Sequence, residues 1–446
     1  MMRKSPRQFT PALVLGLSLC ASASLAGQNP QDHSDTLSAL DASIQQLGMD
    51  ISSEERAAIA SVMQTARDVS RAAQKHNSLR YGDEFRRDAH AKATGCVRAE
   101  FEVNGDIPAQ FRHSVFAEPG RRYPAWIRFS NGDMLVQADG EKDARGMAVK
   151  LMGVDGVPIA PELGDSATQD FLMANNQAFF NRNIHDYVEN MQYLARLDKR
   201  GWFFGLWPPR LHLKQMIRGA QTVSSTIDTP LQEPYFSILP YRLGDTQLKF
   251  ASRPCPGADY PITVDQNAEN FLTEQLSDSL QSGSACFDFL VQPRNISAET
   301  PLDDATVIWE EKDSPFIPVA RIHIPPQTFT SEAQWAFCEN LSMNPWRGVG
   351  EWEPLGSLNR ARRLAYHAVS DFRHTSNDAP QREPTDWCVP GETQKCTPQQ
   401  GLNVYKPSWP LPRCFDAHFN PADDKAVSSQ CQGYGVDSGV LAENHY

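Results

Sequence analysis

Apolar and polar positions alternate through the middle of the chain. Val97, Ala99, Phe101 and Val103 alternate with polar residues, as do Ala320, Ile322 and Ile324, which is the period of half-buried strands. Trp126 to Ser130 alternates as well, so Arg128 and Ser130 fall on one strand face. Residues 81–330 therefore read as strand-rich, with helical inserts expected around 181–200 and 265–280. Proline-rich stretches at 206–209 and 325–326 mark connections. On either side the period turns helical. Ser52 with Glu55 forms a capping-box signature, and Ala57, Ile59, Val62, Met63 and Ala66 follow it as an apolar stripe. This predicts a helical arm within 27–80 that packs on the main body. Residues 331–375 read as helical again, ending in Asn359 to Arg373. Beyond 376 no period is sustained, and Pro, Gln, Asp, Gly and Cys dominate. We read 376–446 as a loop-rich, disulfide-stapled extension and 81–375 as the main domain. No internal repeat is visible.

Composition narrows the picture. The chain has 446 residues, 40% of them hydrophobic and 22% charged, ordinary values for a globular protein with a large core. A formal net charge of -12 argues against nucleic acid, and against an anionic membrane surface, as partner. At the N-terminus Arg3, Lys4 and Arg7 precede a nearly uncharged run from Pro11 to Ala26, with small residues at cleavage spacing. This reads as an export signal over 1–26, directing the protein to a periplasm or secreting it. The run is shorter than the roughly 20 residues that span a bilayer, so stable membrane insertion is not expected. A lipid anchor at Cys20 is disfavoured because leucine precedes it. The other eight cysteines are an even set, and Cys388, Cys396, Cys414 and Cys431 crowd the C-terminal stretch. Exported chains pair such cysteines as disulfides. No CxxC or CxxCH spacing occurs, so thioether attachment of a cofactor is not expected.

The candidate chemistry begins at Arg360 to Tyr366. On a helix Arg362 and Tyr366 are neighbours four residues apart, and Arg373 returns to that face seven residues later. A guanidinium beside a tyrosine favours the phenolate, a hard donor suited to ferric iron and a known proximal haem ligand. Taken alone, the spacing fits an ordinary amphipathic helix with a half-buried tyrosine better, because R-x-x-x-Y is common by chance. His90 lies in Arg87-Asp88-Ala89-His90-Ala91-Lys92-Ala93 and is followed by Ile127-Arg128-Phe129-Ser130, Asp143 to Lys150 and Asn175 to Phe180.

In this order, from about residue 84 to 375, these stretches resemble the haem catalases. Arg362 to Tyr366 is similar to the family's R-x-x-x-Y, and Asp313 to Val319 is similar to Y-P-L-I-P-V. Arg87 to Ala93 is similar to R-x-x-H-A-K-G, Ile127 to Ser130 to V-R-F-S, Asp143 to Lys150 to D-P-R-G-F-A-V-K, and Asn175 to Phe180 to a shortened N-N-T-P-x-F-F. Phe337 to Trp346 and Pro354 to Arg360 resemble the smaller catalase-related peroxidases. His367 departs from the pattern, standing where typical catalases carry proline.

The resemblance implies an α+β fold, a catalase-like eight-stranded antiparallel β-barrel with surrounding helices, holding haem b with a ferric iron. It implies Tyr366 as the iron ligand, and His90 as the distal base with Ser130 on its far nitrogen. Asn175 becomes the distal amide donor, and Arg87, Arg128, Arg362 and Arg373 the basic residues at the cofactor. Phe179 and Tyr187 become pocket aromatics. The Asp143 to Lys150 stretch reads as a structural signature without a catalytic role. The expected substrate is hydrogen peroxide or a small organic peroxide, in catalase or peroxidase chemistry, and a homo-oligomer is compatible with the sequence. Ala89 replaces a common valine and widens the expected pocket. The alternative is a fatty-acid hydroperoxide-rearranging enzyme resembling allene oxide synthase, and a third reading is a haem-binding protein without catalysis.

Overall fold

A computed structural model describes residues 51–390 except 164–166, 206–208 and 224–225. The expected export signal, the start of the arm and the tail with Cys396, Cys414 and Cys431 lie outside the described residues. Strands β1 (Ala93–Val103), β2 (Arg122–Asn131), β3 (Arg145–Met152) and β4 (Thr168–Ala174) are consecutive antiparallel neighbours. A two-residue hairpin, β5 (Phe204–Gly205) with β6 (Arg210–Leu211), stands apart. Then come β7 (Tyr235–Phe236), β8 (Tyr241–Leu243), β9 (Thr246–Pro254), β10 (Ala285–Pro293), β11 (Ile317–Ile324) and β12 (Trp352–Pro354). β4 pairs with β7, β7 with β9, β9 with β10, β10 with β11, and β11 returns to β1. Eight strands thus close an antiparallel barrel, while β8 and β12 extend the sheet beyond β9. Closure removes the open edges that would otherwise invite pairing with other chains.

Side chains fill the barrel. Phe101, Phe171, Phe250 and Phe289 pack together at its centre, with ring centroids 4.8 to 5.5 Å apart for Phe171–Phe289, Phe101–Phe289 and Phe250–Phe289. Val97, Ala99, Phe101 and Val103 belong to this core. The half-buried expectation for β1 needs correction, because its other face is covered too. Arg98 Nε donates to Trp387 O at 2.9 Å, and Trp126 Nε1 on β2 donates to Asp386 O at 2.9 Å. The segment around 386–389 therefore straps the outside of the barrel.

The helices are α1 (Ser53–Tyr81), α2 (Ile184–Leu194), α3 (Leu213–Thr222), α4 (Phe271–Ser282), α5 (Glu332–Asn340) and α6 (Ser357–Ser376). Ser52 Oγ accepts from Glu55 N at 3.1 Å and caps α1. The α1 stripe of Ile59, Val62 and Met63 packs on Ala361, Leu364 and Ala368 of α6. Burial of each large apolar side chain there stabilises the arm by about 1.5–3 kcal/mol. Glu55 also pairs with Arg360, with an oxygen 3.0 Å from Nη2. Two differences from the sequence pattern stand out. The helical stretch expected over 331–375 is broken between α5 and α6, where Pro345, Gly348, Gly350 and Pro354 interrupt it. The third insert, α3, follows Pro208 and Pro209 and was not anticipated from its short pattern.

Two disulfides tie the body. Cys96–Cys338 joins β1 to α5, and Cys255–Cys286 joins the turn after β9 to β10. Cys388 is disulfide-bonded as well. No helix among the described residues is long and apolar enough to cross a membrane.

Candidate active site

A cavity of about 260 Å³ opens where β2, β3 and β4 meet α6 and the turn before β1. His90 sits in that turn with φ of 57°, a left-handed conformation that non-glycine residues rarely take. Three bonds hold it there. His90 N donates to Gly132 O at 3.0 Å, Ala91 N to Asp133 O at 3.1 Å, and Arg128 Nη2 to His90 O at 2.8 Å. His90 Nδ1 lies 3.0 Å from Ser130 Oγ, the pairing expected from the strand face that Ser130 shares with Arg128.

Gly146 of β3 makes this arrangement sterically feasible. A Cβ there would lie 2.6 Å from His90 Nδ1 and 2.8 Å from Ser130 Oγ. The Asp143 to Lys150 stretch thus contributes directly to the pocket, a role its sequence pattern does not reveal. Burial, then the positive field of Arg128, lowers the His90 pKa to about 4. The imidazole is neutral across the physiological range. Asp88, beside it on the cavity wall, is pushed by burial up to about 6.

Helix α6 supplies the other lining. Arg362, Tyr366, Val369, Ser370 and Arg373 share the face toward the cavity, while Ala361, Leu364 and Ala368 face α1. Arg362 Nη2 donates to the Tyr366 hydroxyl oxygen at 3.1 Å, and Arg362 Nη1 donates to Asn359 Oδ1 at 3.0 Å. Burial works to lower the Arg362 pKa, but the Tyr366 and Tyr241 oxygens outweigh it and the net shift is upward. The guanidinium stays charged against the Tyr366 oxygen. Phe179 and Tyr187 also line the cavity, with ring centroids 6.2 Å apart. Met147, Leu172, Phe236 and Leu239 add apolar wall.

One end of the cavity is strongly basic. Arg87, Arg128 and Arg373 line it, with Arg86 close by. With Glu84 3.8 Å from Arg86 and Asp88 on the same wall, the carboxylate at their centre is Glu339 at the end of α5, which nothing in the sequence singles out. Its Oε1 accepts from Arg373 Nη1 at 2.6 Å and from Arg87 Nη1 at 3.1 Å. Burial alone would raise the Glu339 carboxyl, yet the four guanidinium groups hold it below the usual range. Burial, helped by the like charges of Arg373 and Arg86, pushes Arg128 down to about 10. The Nε atoms of Arg86, Arg128 and Arg373 are buried with no hydrogen-bond partner among the described residues.

Asn175 departs from the expected pattern. Its Oδ1 accepts from Arg145 N at 2.8 Å, its Nδ2 donates to Glu233 Oε2 at 3.1 Å, and it is not among the cavity-lining residues. The amide is thus held by its oxygen and by one of its two N–H groups, and a second N–H remains on Nδ2 for the distal donor role that the resemblance assigns. The other nine candidate residues meet at or beside the one cavity. Their chemistry fits a flat, apolar macrocycle bearing two carboxylates and an iron. The wall is apolar, a tyrosine oxygen lines it, and at the basic end four arginines outnumber the carboxylates of Glu339, Glu84 and Asp88.

The Catalase family model matches residues 77–190, which include the His90 turn and β2 to β4. Catalase from Rattus norvegicus is 26% identical over 283 residues, covering 56% of this chain and 50% of the rat protein. Catalase from Ascaris suum is 25% identical over 268 residues, covering 56% and 49%. The chain spans about half the length of these curated relatives. A solved bacterial catalase aligns with a TM-score of 0.53 at 19% identity, covering 77% of this chain and 68% of that one. A solved fungal catalase aligns with a TM-score of 0.50 at 15% identity, covering 67% and 61%. Both share the barrel and its surrounding helices.

Proposed function

We propose that this chain, a member of the haem catalase superfamily by its match to the Catalase model and to catalase relatives, binds ferric haem b and decomposes hydrogen peroxide. Small organic peroxides are further substrates in this reading, and oxidation of small organic donors is a second outlet. One observation carries the proposal: a neutral histidine on a serine and a tyrosine on an arginine line the same cavity.

Bound there, haem supplies the iron and conjugated ring that take up the oxidising equivalents of a peroxide. The chain does the rest. Tyr366 would hold the iron through its oxygen, which Arg362 hydrogen-bonds while Asn359 fixes the guanidinium. Arg87, Arg128 and Arg373 would hold the propionates through charge-assisted bonds, and Phe179 and Tyr187 would supply apolar wall for the ring. His90, being neutral, takes a proton from one peroxide oxygen and returns it to the other as that oxygen leaves. Ser130 fixes the imidazole through Nδ1, and Arg128 fixes its backbone through His90 O. Asn175, its amide held by Glu233 and Arg145, would orient the peroxide through its second N–H.

Ala89 lines the cavity with a small side chain. That observation favours access by peroxides larger than hydrogen peroxide, and it keeps hydroperoxide rearrangement as the second reading. Export to a periplasm or outside the cell belongs to the proposal, supported by the disulfides Cys96–Cys338 and Cys255–Cys286.

The test is the absorption spectrum and peroxide turnover of purified wild type, Tyr366→Phe and His90→Gln. Wild type should show a ferric haem spectrum and release oxygen from hydrogen peroxide. Tyr366→Phe should lose the phenolate-ligated spectrum. His90→Gln should keep it while turnover falls about 10²–10⁴-fold. Absence of haem from the wild type, or survival of the phenolate spectrum in Tyr366→Phe, overturns the assignment. Rearrangement of a fatty-acid hydroperoxide without oxygen release would select the second reading.

A further inference from the structure

Glu339 and Asp88 meet the same arginines and end differently. Glu339 accepts from Arg373 Nη1 at 2.6 Å and from Arg87 Nη1 at 3.1 Å. Asp88 follows Arg87 directly in the chain, yet it makes no ion pair among the described residues, both guanidiniums being bound to Glu339. Its carboxylate is held by the amides of its own turn, those of Asp88 and Ala89, and feels Arg373 and Arg87 through space. A carboxylate taken out of water without an ion pair is costly. None of the steps on the peroxide uses it.

Its surroundings say what it faces. Asp88 lines the cavity beside Phe179, Tyr187 and Ala89. The Asp88 charge reaches Tyr187 and helps burial to raise the phenol's pKa, but no hydrogen bond joins the two side chains. A carboxylate and a phenol thus line one space without bridging it. Ala89 adds no more than a methyl group beside Asp88, and Leu172, Met343 and Val369 keep other parts of the wall apolar. Burial pushes the Asp88 carboxyl up to about 6, so at neutral pH it is mostly ionised and accepts hydrogen bonds and protons. An apolar, partly aromatic wall with one anionic acceptor suits a small aromatic molecule bearing an O–H or N–H, and it repels an anion.

We propose that Asp88 docks a small phenol or aryl amine and accepts its proton, which makes it the catalytic residue for the organic donor. The inference rests on the haem reading of the same cavity. The donor's O–H hydrogen-bonds to the carboxylate while its ring meets the apolar wall. As the donor gives up one electron toward reduction of the peroxide, its O–H bond breaks and the proton passes to Asp88, which releases it to the water being formed. Two phenols and one hydrogen peroxide give two phenoxyl radicals and two waters. Labour in the turn is then divided. His90, neutral and bonded to Ser130, serves the peroxide, and Asp88, two residues earlier, serves the donor.

The test uses the purified, haem-loaded full chain, with 4-methoxyphenol as donor and 1,4-dimethoxybenzene as the analogue that lacks the O–H. Titration calorimetry should show wild type binding the phenol about tenfold more tightly than the diether, the effect of one bond to a charged acceptor. Asp88→Asn keeps an acceptor oxygen without the charge and should cut the preference to about threefold, and Asp88→Leu should abolish it. In Asp88→Asn, kcat/KM for oxidation of the phenol by hydrogen peroxide should also fall about tenfold or more relative to oxygen release. Equal affinity of the wild type for the two probes overturns the proposal. So does a preference that survives Asp88→Leu while the haem spectrum is unchanged. A wild type without haem would instead sink the catalase reading, and the spectrum tells the two failures apart.

Discussion

Two buried charged clusters in this molecule use the same residue types for opposite ends. On the outside of the barrel Lys150 of β3 meets Asp170 of β4 at 2.6 Å and Glu383 at 2.8 Å. Arg347 meets Glu383 at 2.8 Å and Asp170 at 3.6 Å. Two cations face two carboxylates and the sum is zero (2 − 2 = 0). At the cavity Arg86, Arg87, Arg128 and Arg373 meet round Glu339, with Glu84 3.8 Å from Arg86 and Asp88 on the wall, so the cations stay in excess (4 − 3 = 1). A buried charge without a partner is expensive. The closed cluster therefore reads as a clamp between strands and strap, and the open one as a place awaiting anions. Charge balance separates a structural cluster from a binding one.

The largest expected effect comes from unbalancing the clamp. Asp170→Asn leaves Lys150 and Arg347 with one carboxylate between them and should lower unfolding stability by about 3–5 kcal/mol. Urea unfolding followed by tryptophan fluorescence measures this; a cost below about 1 kcal/mol would mean the cluster holds nothing together. The open cluster should respond in the other way. Arg373→Gln removes one of several crowded like charges, so relief of repulsion offsets the lost bond to Glu339. Stability without haem should move by less than about 1 kcal/mol. Haem affinity, read by fluorescence quenching, should fall about tenfold. If Arg373→Gln unfolds the chain as strongly as Asp170→Asn, the distinction between the clusters fails.

How much of this was legible along the chain depends on distance. Strand alternation located the barrel's inner face at Val97 to Val103, because period and burial are local properties. The capping of α1 by Ser52 was equally local, and so was the Arg362–Tyr366 pair. The His90–Ser130 pair needed family resemblance, since 40 residues separate the two in sequence. Glu339 was invisible: its partners lie 34 residues after it and 252 before it, and nothing in its own neighbourhood marks an acid as buried. Asn175 shows the complementary limit. Its motif is local, but nothing in it shows that Glu233, 58 residues on, takes one of its amide hydrogens. The outer face of β1 looked half-open because its cover, the strap at 386–389, comes from the far end of the described chain.

The smallest effect, and the finest test of the open cluster's surroundings, is the pH dependence of stability around His90 and Asp88. His90 titrates near 4 in the folded chain against an ordinary 6.5, so the unfolded chain binds its proton more tightly. Its contribution to stability is present above about pH 6.5 and is lost as pH falls through about 4. Asp88 runs in the opposite sense. Its folded value of about 6 lies above the ordinary 3.8, so its contribution is full below about 3.8 and is lost as pH rises through about 6. Between about pH 4 and 6 the two slopes oppose each other in the wild type. Removing either residue exposes the other. The stability of His90→Gln, measured by urea unfolding without haem, should decline relative to wild type as pH rises across that interval. Asp88→Asn should gain relative to wild type over the same interval. Slopes that shift in the same direction in both variants would show that the basic end of the cavity does not set the two groups apart. Opposite shifts would mean that one enclosed pocket holds its imidazole neutral and its carboxyl partly protonated at the same pH, which is the condition for His90 to act as a base there.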